Sequence, residues 1–355
     1  MTDKKSKNIL FLISSIGGGG AERVACRLVS EFSKNHKVYL MYFQPKEKTY
    51  EISPNVTIIP FLSSKFKNDI NYNSKDPNQI RKQEIEKMRR KYKIDITISF
   101  LYSPNILNVN SNGECIKILS ERNDPEGKGE DYFKDMSSAY EKADKVVFQT
   151  NYTKGKFSVN IQNKSVIIPN PICVSCLAEK IKKKKIVAVG RLVPQKNHKF
   201  LIKAFSLFHK VHNDYHLNIY GIGPLLDELE CLVKDLNLAE YVHFNGFFEE
   251  IHEQIKDAEQ FVLSSDFEGM PNALLEAMMM GLSCISTYCS GVPEIIEDGK
   301  NGILVAKNDI SGLAGAMMRL TEDKNLRESL AINAMKKAEE FKLDKIVKKW
   351  EELFE

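Results

Sequence analysis

The chain has 355 residues, of which 43% are hydrophobic and 28% are charged, and its formal net charge is +4. This composition is typical of a soluble globular protein, and the length favours two domains of roughly 100–200 residues each. No apolar run approaches the roughly 18–20 residues that are needed to span a bilayer. The short apolar run 9–13, followed by four glycines, indicates a buried first strand rather than a signal peptide.

The seven cysteines and seven histidines do not predict a metal site. An odd number of cysteines at scattered positions argues against a disulfide framework. Cys173 and Cys176 form a lone C-x-x-C pair, no second pair has zinc-type spacing, and no H-E-x-x-H occurs. We therefore expect reduced thiols, a cytoplasmic location, and neither a metal nor another cofactor.

The positive charge is concentrated in the first half of the chain. Residues 1–170 carry a net charge of +9, and the remainder carries −5. The segment 81–93 is a strongly basic helix candidate, which is either a solvated helix face or a surface that contacts an anionic membrane. The second alternative implies a peripheral location at the inner face of the membrane. Nucleic-acid binding is disfavoured, because the charge is modest and aromatic residues are not interleaved with it.

Strands and helices alternate from the start of the chain. In one predicted helix, Val24, Leu28 and Phe32 recur at the spacing of a single helix face. The predictions for the first half are strands at 8–14, 38–43, 94–100, 115–119, 145–149 and 166–168, and helices at 21–33 and 81–93.

A second alternating series begins after the segment 169–185, which contains two prolines, small residues and a run of lysines. Such a composition is typical of a linker. The predictions for the second half are strands at 186–190, 217–220, 242–244, 260–264 and 284–286, and helices at 197–211 and 225–236, near 250 and 271, and over 327–354.

This alternation predicts the fold class. Strands separated by helices of roughly 10–15 residues form parallel sheets that are covered by helices on both faces. Two such series, separated near residue 175, predict two Rossmann-like α/β domains that face each other across a cleft. In such sheets, ligands bind beyond the carboxyl ends of the strands. The loops that follow strands are therefore the candidate functional segments.

Two of these loops suit an anion. The loop 17–20 consists of glycines, which let a strand-to-helix turn approach a ligand closely, although a plain tight turn is an equal alternative. Glu22 stands where a dinucleotide fingerprint requires its third glycine, which disfavours a nicotinamide dehydrogenase. In the loop 190–197, Arg191 ends a strand and Lys196 begins the next helix. Two such cations suit a diphosphate, but from this loop alone two solvated charges remain the simpler interpretation.

The loop after the strand at 260–264 carries the most specific pattern. Glu268 lies in the loop, and Glu276 follows roughly one and a half turns into the next helix. A carboxylate within the apolar run 274–278 needs a partner, and sugar or ribose hydroxyls are suitable. The free amides at the start of this helix suit phosphate or sugar oxygens. Two further strand-exit loops fit either a base pocket or ordinary turns: 221–224 and 245–248.

Seven short segments occur in a specific order along nearly the whole chain. They are 19–23, 166–171, 190–191 with 196–197, 221–224, 245–247, 268–276 and 291–294. In this order and spacing they resemble the family 4 retaining glycosyltransferases, which have the two-domain GT-B fold. Each segment alone is common, and the specificity lies in the set.

The resemblance implies a role for each candidate residue. Arg191 and Lys196 would neutralise the diphosphate of a sugar-nucleotide donor. Glu268 would contact the sugar hydroxyls, and Glu276 would contact the nucleotide ribose. The other implied contacts are to sugar and phosphate from Gly269, Met270, Pro271, Asn272 and Ala273, to the base from Gly246 and Phe247, and to the diphosphate from Gly18, Gly19 and Gly20.

One segment departs from the family pattern. Many members carry a histidine near the donor sugar in an N-terminal loop, whereas residues 120–124 contain none. Arg122 or Asn123 is the candidate replacement for that contact. The implied catalytic set is Arg191, Lys196 and Glu268.

The resemblance also implies the domain organisation. An N-terminal acceptor-binding domain would comprise 1–170, a linker 171–185, and a C-terminal sugar-nucleotide-binding domain 186–340. A final helix in 341–355 would cross back to the first domain.

The implied reaction is transfer of a sugar, with retained anomeric configuration, to a saccharide acceptor. The expected donor is a UDP-hexose or UDP-N-acetylhexosamine, and the expected acceptor is a lipid-linked saccharide in glycan assembly. Two other functions remain open. A UDP-sugar epimerase would convert the donor without an acceptor, and a non-catalytic sugar-nucleotide sensor would bind it without turnover.

Overall fold

The computed structural model of the protein describes residues 6–46, 49–61, 76–122 and 128–355. The chain forms two compact units, one comprising Met1–Pro171 with Asp344–Glu355 and the other comprising Ile172–Leu343. Each unit is built around a parallel β-sheet. The predicted α/β class with two Rossmann-like domains is confirmed.

A parallel sheet forms the centre of the first unit. Its strands are β1 (Asn8–Ile13), β2 (Lys37–Tyr42), β3 (Thr57–Pro60), β4 (Ile96–Phe100), β5 (Ile116–Ser120), β6 (Lys145–Phe148) and β7 (Ser165–Ile167). In the described part of this unit they follow the order β3-β2-β1-β4-β5-β6-β7. β1 lies inside the sheet between β2 and β4, and its residues from Ile9 to Ile13 are all buried, because both faces of an interior parallel strand are covered.

Helices connect these strands, namely α1 (Gly20–Phe32), α2 (Pro77–Lys91), α3 (Tyr102–Asn110), α4 (Glu130–Lys142), α5 (Asn151–Lys154) and α6 (Val159–Asn163). In α1, Val24, Leu28 and Phe32 are buried along one stripe, as their spacing predicts. At the start of α2, the Asp76 carboxylate accepts a hydrogen bond of 3.0 Å from the backbone N–H of Asn78. This cap satisfies one of the free amides of the first turn.

The second unit contains a six-stranded sheet in the order β10-β9-β8-β11-β12-β13, in which all neighbouring strands are parallel. The strands are β8 (Lys183–Val189), β9 (His216–Tyr220), β10 (Val242–Phe244), β11 (Ala258–Leu263), β12 (Ser283–Thr287) and β13 (Ile303–Val305). Phe261 and Val262 of β11 belong to two different core clusters. Successive strand residues point to opposite faces, so a hydrophobic core covers each face of the sheet.

Helices supply both cores of the second unit: α7 (His198–His209), α8 (Leu226–Asp235), α9 (Ile251–Ile255), α10 (Asn272–Met280), α11 (Ile310–Glu322) and α12 (Lys324–Ala338). Phe200, Phe205 and Phe208 of α7 pack in one cluster, and Leu274 and Met278 of α10 pack in the other. α10 is buried from Leu274 to Met280, so its position relative to the strands is fixed by packing.

The last helix, α13 (Leu343–Glu351), packs within the first unit. Ile346 and Trp350 are fully buried in the same core cluster as Phe32 and Phe100. The ring centroids of Trp350 and Phe100 are 5.8 Å apart. The predicted C-terminal helix that crosses back to the first domain is confirmed.

The predicted strands are all present, with ends that differ by at most three residues. Two strands were not predicted. β3 has four residues and ends in Pro60 at the edge of its sheet, where a proline is tolerated. β13 has only three residues, too few for a periodic pattern. Helices α3 to α6 and α11 were also missed, and the helical segment predicted at 327–354 is interrupted by a short 3-10 helix at Glu339–Phe341.

Residues 172–182, within the predicted linker, pack against the second unit. Ile172 is buried in a core cluster of that unit. The backbone N–H of Ala178 donates to the Met280 carbonyl, and that of Glu179 donates to the Lys256 carbonyl, both at 2.8 Å. This segment therefore has a fixed place beside α9 and α10.

The basic helix α2 carries one charge that does not face solvent. Arg89 is buried, and its guanidinium donates to Thr97 Oγ1 at 3.2 Å, to Asn108 Oδ1 at 2.6 Å and to the Ser111 carbonyl at 2.5 Å. Burial lowers the pKa of Arg89. This arginine therefore serves the fold rather than a solvated surface. No helix in the described ranges is long and apolar enough to cross a membrane.

Replacing Ile346 with Ala tests the packing of α13. Ile346 is fully buried, so we expect the free energy of unfolding of the first unit to fall by about 2–5 kcal/mol. The measurement is urea unfolding followed by the fluorescence of Trp350, the only tryptophan of the chain. The exposed neighbour Lys345→Ala is the control and should change stability by less than about 0.5 kcal/mol. Equal unfolding midpoints for the two variants would contradict this packing.

Candidate active site

Five loops of the second unit meet at one edge of its sheet. Because the strands are parallel, all their carboxyl ends lie at the same edge. Backbone hydrogen bonds connect neighbouring loops: the N–H of Gly221 donates to the Gly246 carbonyl at 2.8 Å, and the N–H of Leu192 donates to the Ile222 carbonyl at 3.0 Å. In the order of the sheet, the loops are 245–248, 221–224, 190–197, 264–271 and 288–291.

The loops after β8 and β11 are joined by several hydrogen bonds. The N–H of Asp266 donates to the Gln195 carbonyl at 2.9 Å, and the Ser264 hydroxyl donates to the Lys196 carbonyl at 2.8 Å. Asn197 has a left-handed backbone (φ 44°), and its side chain both caps α7 and donates to Asp266 Oδ1 at 2.9 Å. These bonds fix Lys196 beside the loop that carries Glu268.

Lys196 and Glu268 form an ion pair at this junction. Their side chains are only 16% and 8% exposed. The Ser265 hydroxyl donates to the same Glu268 oxygen at 2.6 Å. A buried charge requires such partners, since an unpaired one is costly to desolvate. Two of the three predicted catalytic residues are therefore in direct contact, while the third, Arg191, is exposed and is the second residue after β8.

α10 begins directly beyond Glu268. Pro271 precedes the first helical residue, Asn272, so the predicted helix start is displaced by one position. Met270 and Pro271 are buried, whereas Gly269, Asn272 and Ala273 are partly exposed. The start of a helix presents backbone amides and the positive end of the helix dipole. The predicted segment 269–273 therefore forms an electropositive rim next to the ion pair.

The loop after β12 supports this rim through a close backbone approach. Gly291 has φ 78°, and a Cβ atom there would lie 2.2 Å from the Gly269 carbonyl oxygen. The backbone N–H of Glu268 donates to the Ser290 hydroxyl at 3.3 Å. Only glycine allows this approach without displacing residues 268–269.

Glu276 lies little more than one turn into α10 and is 5% exposed. His252 of α9, also buried, places Nε2 at 3.5 Å from Glu276 Oε2. Nδ1 of the same ring accepts a hydrogen bond of 3.2 Å from the backbone N–H of Ser175. His252 was missed in the sequence because it belongs to no recognised segment. The signal that was available is its place at the start of a helix, four residues after the loop 245–248.

Apolar side chains are exposed at the exits of β9 and β10. Ile222 is 62% exposed and Phe247 is 56% exposed, on adjacent loops that are joined through Gly221 and Gly246. Gly246 has φ 72° and open space around its Cα. Exposed apolar groups on neighbouring loops offer a surface on which a flat ring can stack.

The predicted glycine loop lies in the first unit, at the carboxyl end of β1. Gly18 has φ 89°, and Gly19 takes the N-cap position of α1. A Cβ atom at Gly19 would lie 2.1 Å from a carboxylate oxygen of Glu22, so this side chain folds back over the loop. Gly18 and Gly20 are exposed.

Arg122 also lies in the first unit and is buried. Its Nη1 donates to Asn170 Oδ1 at 2.9 Å, and its guanidinium lies 4.1 Å from the Phe100 ring centroid and 5.5 Å from that of Trp350. Burial lowers the pKa of Arg122 to about 9. These contacts give Arg122 a packing role beside α13. The alternative candidate, Asn123, lies outside the described residues.

Cysteine and histidine side chains do not assemble into a metal centre within the ranges that the structure describes. All seven cysteines are free, and burial raises the pKa of Cys26 and Cys289 to about 12. His198, next to the Lys196 loop, is buried, which lowers its pKa to about 4. It is therefore a neutral packing group at physiological pH.

The comparisons with known proteins identify the family. A family model described as "Glycosyl transferases group 1" matches residues 177–337. The chain is 30% identical to N-acetylgalactosamine-N,N'-diacetylbacillosaminyl-diphospho-undecaprenol 4-alpha-N-acetylgalactosaminyltransferase of Campylobacter jejuni, over 95% of this chain and 96% of that protein. The chain belongs to this family of glycosyltransferases. The predicted family resemblance is confirmed. The protein is a glycosyltransferase with the GT-B fold.

Solved structures agree with the fold of this glycosyltransferase. HepE of Anabaena, solved in complex with UDP, superposes with a TM-score of 0.81 at 16% identity, covering 98% of this chain and 99% of that chain. TarM superposes with a TM-score of 0.85 at 16% identity over 100% of both chains. At this level of identity, the likeness concerns the fold alone.

Replacing Gly291 with Ala tests the close approach to Gly269. The added methyl group meets a backbone carbonyl and also requires an unfavourable positive φ. Gly299 is the matched control, since it has φ 70° but open space around it. We expect Gly299→Ala to cost about 1–2 kcal/mol of unfolding free energy. Gly291→Ala should cost clearly more in the same urea titration monitored by circular dichroism, and equal losses would contradict the described contact.

Proposed function

We propose that this glycosyltransferase moves a hexose or N-acetylhexosamine from a UDP-linked donor to a saccharide acceptor and retains the anomeric configuration. The observation that carries the proposal is the Lys196–Glu268 ion pair at the exits of the neighbouring strands β8 and β11, directly before the start of α10. A cation, a carboxylate and free helix amides at one sheet edge match the diphosphate and hydroxyl groups of a sugar nucleotide.

The diphosphate would be held by Arg191, Lys196 and the start of α10. Arg191 is exposed, so its planar guanidinium is available to a ligand. Lys196 is held by its ion pair with Glu268, and an ammonium group has three N–H donors to share between that carboxylate and a phosphate. When the bond to the sugar breaks, negative charge grows on the leaving diphosphate. Preorganised positive groups stabilise that charge in the transition state.

The two carboxylates would have different tasks. Glu268, fixed by Lys196 and Ser265, would accept hydrogen bonds from the sugar hydroxyls. A carboxylate already engaged by two donors is a poor nucleophile, so the proposal assigns Glu268 to binding rather than to a covalent intermediate. Glu276 would accept hydrogen bonds from the ribose. The contacts that the family resemblance implies for the residues at the start of α10 remain predictions, namely those of Gly269, Met270, Pro271, Asn272 and Ala273.

The base would stack beside Gly246 and Phe247, where the apolar surface is exposed. The roles of Gly18, Gly19, Gly20 and Arg122 remain predictions from the family resemblance. The buried position of Arg122 favours an indirect role, through the packing of Phe100 and Trp350.

In the proposed step, an acceptor hydroxyl oxygen forms a bond to the anomeric carbon while the bond from that carbon to the diphosphate breaks. The hydroxyl proton passes to the leaving phosphate oxygen. Attack on the face that the diphosphate leaves accounts for retention. The protein positions the reactants and stabilises the leaving group.

Two relatives that match this chain over nearly their whole length support the choice of substrates. The C. jejuni protein described above is named as an N-acetylgalactosaminyltransferase that acts on a diphospho-undecaprenol-linked saccharide, and a second C. jejuni relative, 27% identical over 96% of both chains, has a similar name. HepE has been solved with UDP-glucose. We therefore favour a UDP-sugar donor and a lipid-linked saccharide acceptor in polysaccharide or glycan assembly.

A peripheral location at the inner face of the membrane fits a lipid-linked acceptor. The net charge of +9 over residues 1–170 would attract anionic lipids. Such attraction weakens as salt screens it, so sedimentation with anionic liposomes should fall between low and high ionic strength. Binding that is absent or insensitive to salt would contradict this location.

The function is tested by incubating the purified protein with UDP-sugars and an undecaprenyl-diphosphate-linked saccharide. We expect a longer glycolipid whose new linkage has the anomeric configuration of the donor, as measured by NMR. Arg191→Ala and Lys196→Ala should each lower the transfer rate about 10²–10³-fold with an intact fold, because each removes charge from the leaving-group site.

Lys199→Ala is the matched control, because Lys199 is an exposed lysine of the adjoining helix α7. It should transfer at the wild-type rate. Normal turnover in Arg191→Ala or Lys196→Ala would contradict the assigned roles. A donor that is isomerised without an acceptor would instead identify an epimerase, and donor binding without turnover would identify a sensor.

A further inference from the structure

The buried imidazole of His252 links the segment before β8 to the carboxylate of α10. Its Nδ1 accepts a hydrogen bond of 3.2 Å from the backbone N–H of Ser175, and the Ser175 hydroxyl lies 3.1 Å from the same nitrogen. A nitrogen that accepts from a backbone N–H carries no proton of its own. In the neutral ring the proton is therefore on Nε2.

This Nε2–H group faces Glu276. The distance from Nε2 to Glu276 Oε2 is 3.5 Å, and the two side chains are only 8% and 6% exposed. Among the described residues, Nε2 is buried and has no hydrogen-bond partner. A separation of 3.5 Å is long for a hydrogen bond, and a buried donor without a partner is energetically unfavourable. A small movement of the carboxylate would satisfy this donor.

We propose that His252 is a positioning residue that orients the Glu276 carboxylate toward the ribose of the donor nucleotide. The inference rests on the proposed function, in which Glu276 accepts hydrogen bonds from ribose hydroxyls. After a small approach of the carboxylate, His252 would donate from Nε2 to one carboxylate oxygen and thereby fix the rotation of the carboxylate plane. The carboxylate is then oriented toward the ribose.

The surroundings suit this role, because both partners are held by separate elements. Glu276 is anchored by α10, which is buried around it. The His252 ring is held from the opposite side by Ser175, whose segment is packed between Ile172 and Ala178 against the same core. A carboxylate fixed in this way would distinguish ribose from 2'-deoxyribose. When the 2'-hydroxyl is missing, the buried carboxylate oxygen that would bind it is left without that partner, and affinity falls.

The test measures the binding of UDP and 2'-deoxy-UDP by calorimetry in two variants of His252. One variant loses the hydrogen-bond donor that faces Glu276, and the other keeps it. In His252→Asn, the shorter amide can replace Nδ1 toward Ser175 but cannot reach Glu276. In His252→Gln, the longer amide can replace the Nε2 donor. We expect His252→Asn to weaken UDP binding about tenfold, as for the loss of one hydrogen bond to a charged group. We expect His252→Gln to retain UDP affinity to within about threefold.

The role as a positioning residue has three further signatures. His252→Asn should leave the affinity for 2'-deoxy-UDP nearly unchanged, so the preference for the ribonucleotide shrinks. In a Glu276→Gln background, His252→Asn should produce little further loss, because its effect passes through that carboxylate. In the transfer reaction, the donor KM should rise while kcat stays close to the wild-type value.

His252→Phe, which keeps a buried ring without either nitrogen, is the second variant should His252→Asn fail to fold, and we expect the same loss of ribose preference. Equal losses for UDP and 2'-deoxy-UDP, or losses that add to that of Glu276→Gln, would overturn the proposal and leave a purely structural role. Wild-type affinity in His252→Asn would also overturn it. If the wild-type protein binds none of UDP, ADP and GDP, the proposed function itself fails, and this inference fails with it.

Discussion

Parallel strand pairing in the second unit is the constraint on which the candidate site depends. All neighbouring strands are parallel, so every strand ends at the same edge of the sheet. Residues far apart in sequence, such as Lys196 and Glu268, become neighbours because β8 and β11 are adjacent in the sheet. The strand order thus brings the loops together. Gly221 and Gly291 allow the backbones of neighbouring loops to approach closely.

Charge balance within the site follows from this geometry. The Lys196 ammonium and the Glu268 carboxylate are largely removed from solvent, and each compensates the charge of the other. A diphosphate brings negative charge that Lys196 and the exposed Arg191 can neutralise, while sugar hydroxyls can donate to Glu268. The proposed donor would therefore replace solvent around groups that are already oriented, which is the basis of electrostatic preorganisation.

Much of this arrangement could be predicted from the sequence, because periodicity and loop composition are local signals. Alternating strands and helices predicted both sheets, and the strand-exit loops predicted that Lys196 and Glu268 belong to one site. Other features depend on packing that no local pattern encodes. His252 contacts Glu276 only because α9 and α10 are brought together, and Arg89 resembles a solvated charge until the loop around Ser111 encloses it. The edge strand β3 has only four residues and ends in Pro60, and a proline within an apolar run argues against a strand.

Hydrogen–deuterium exchange of the protein with and without UDP tests most directly whether the β8 and β11 exits hold the donor diphosphate. The account predicts slower amide exchange, on addition of UDP, in peptides that cover 190–199 and 266–280. Peptides from α2 of the first unit, which carries none of the candidate site residues, should exchange at unchanged rates. Binding of UDP with protection confined to other segments, and none in 190–199 or 266–280, would contradict the account.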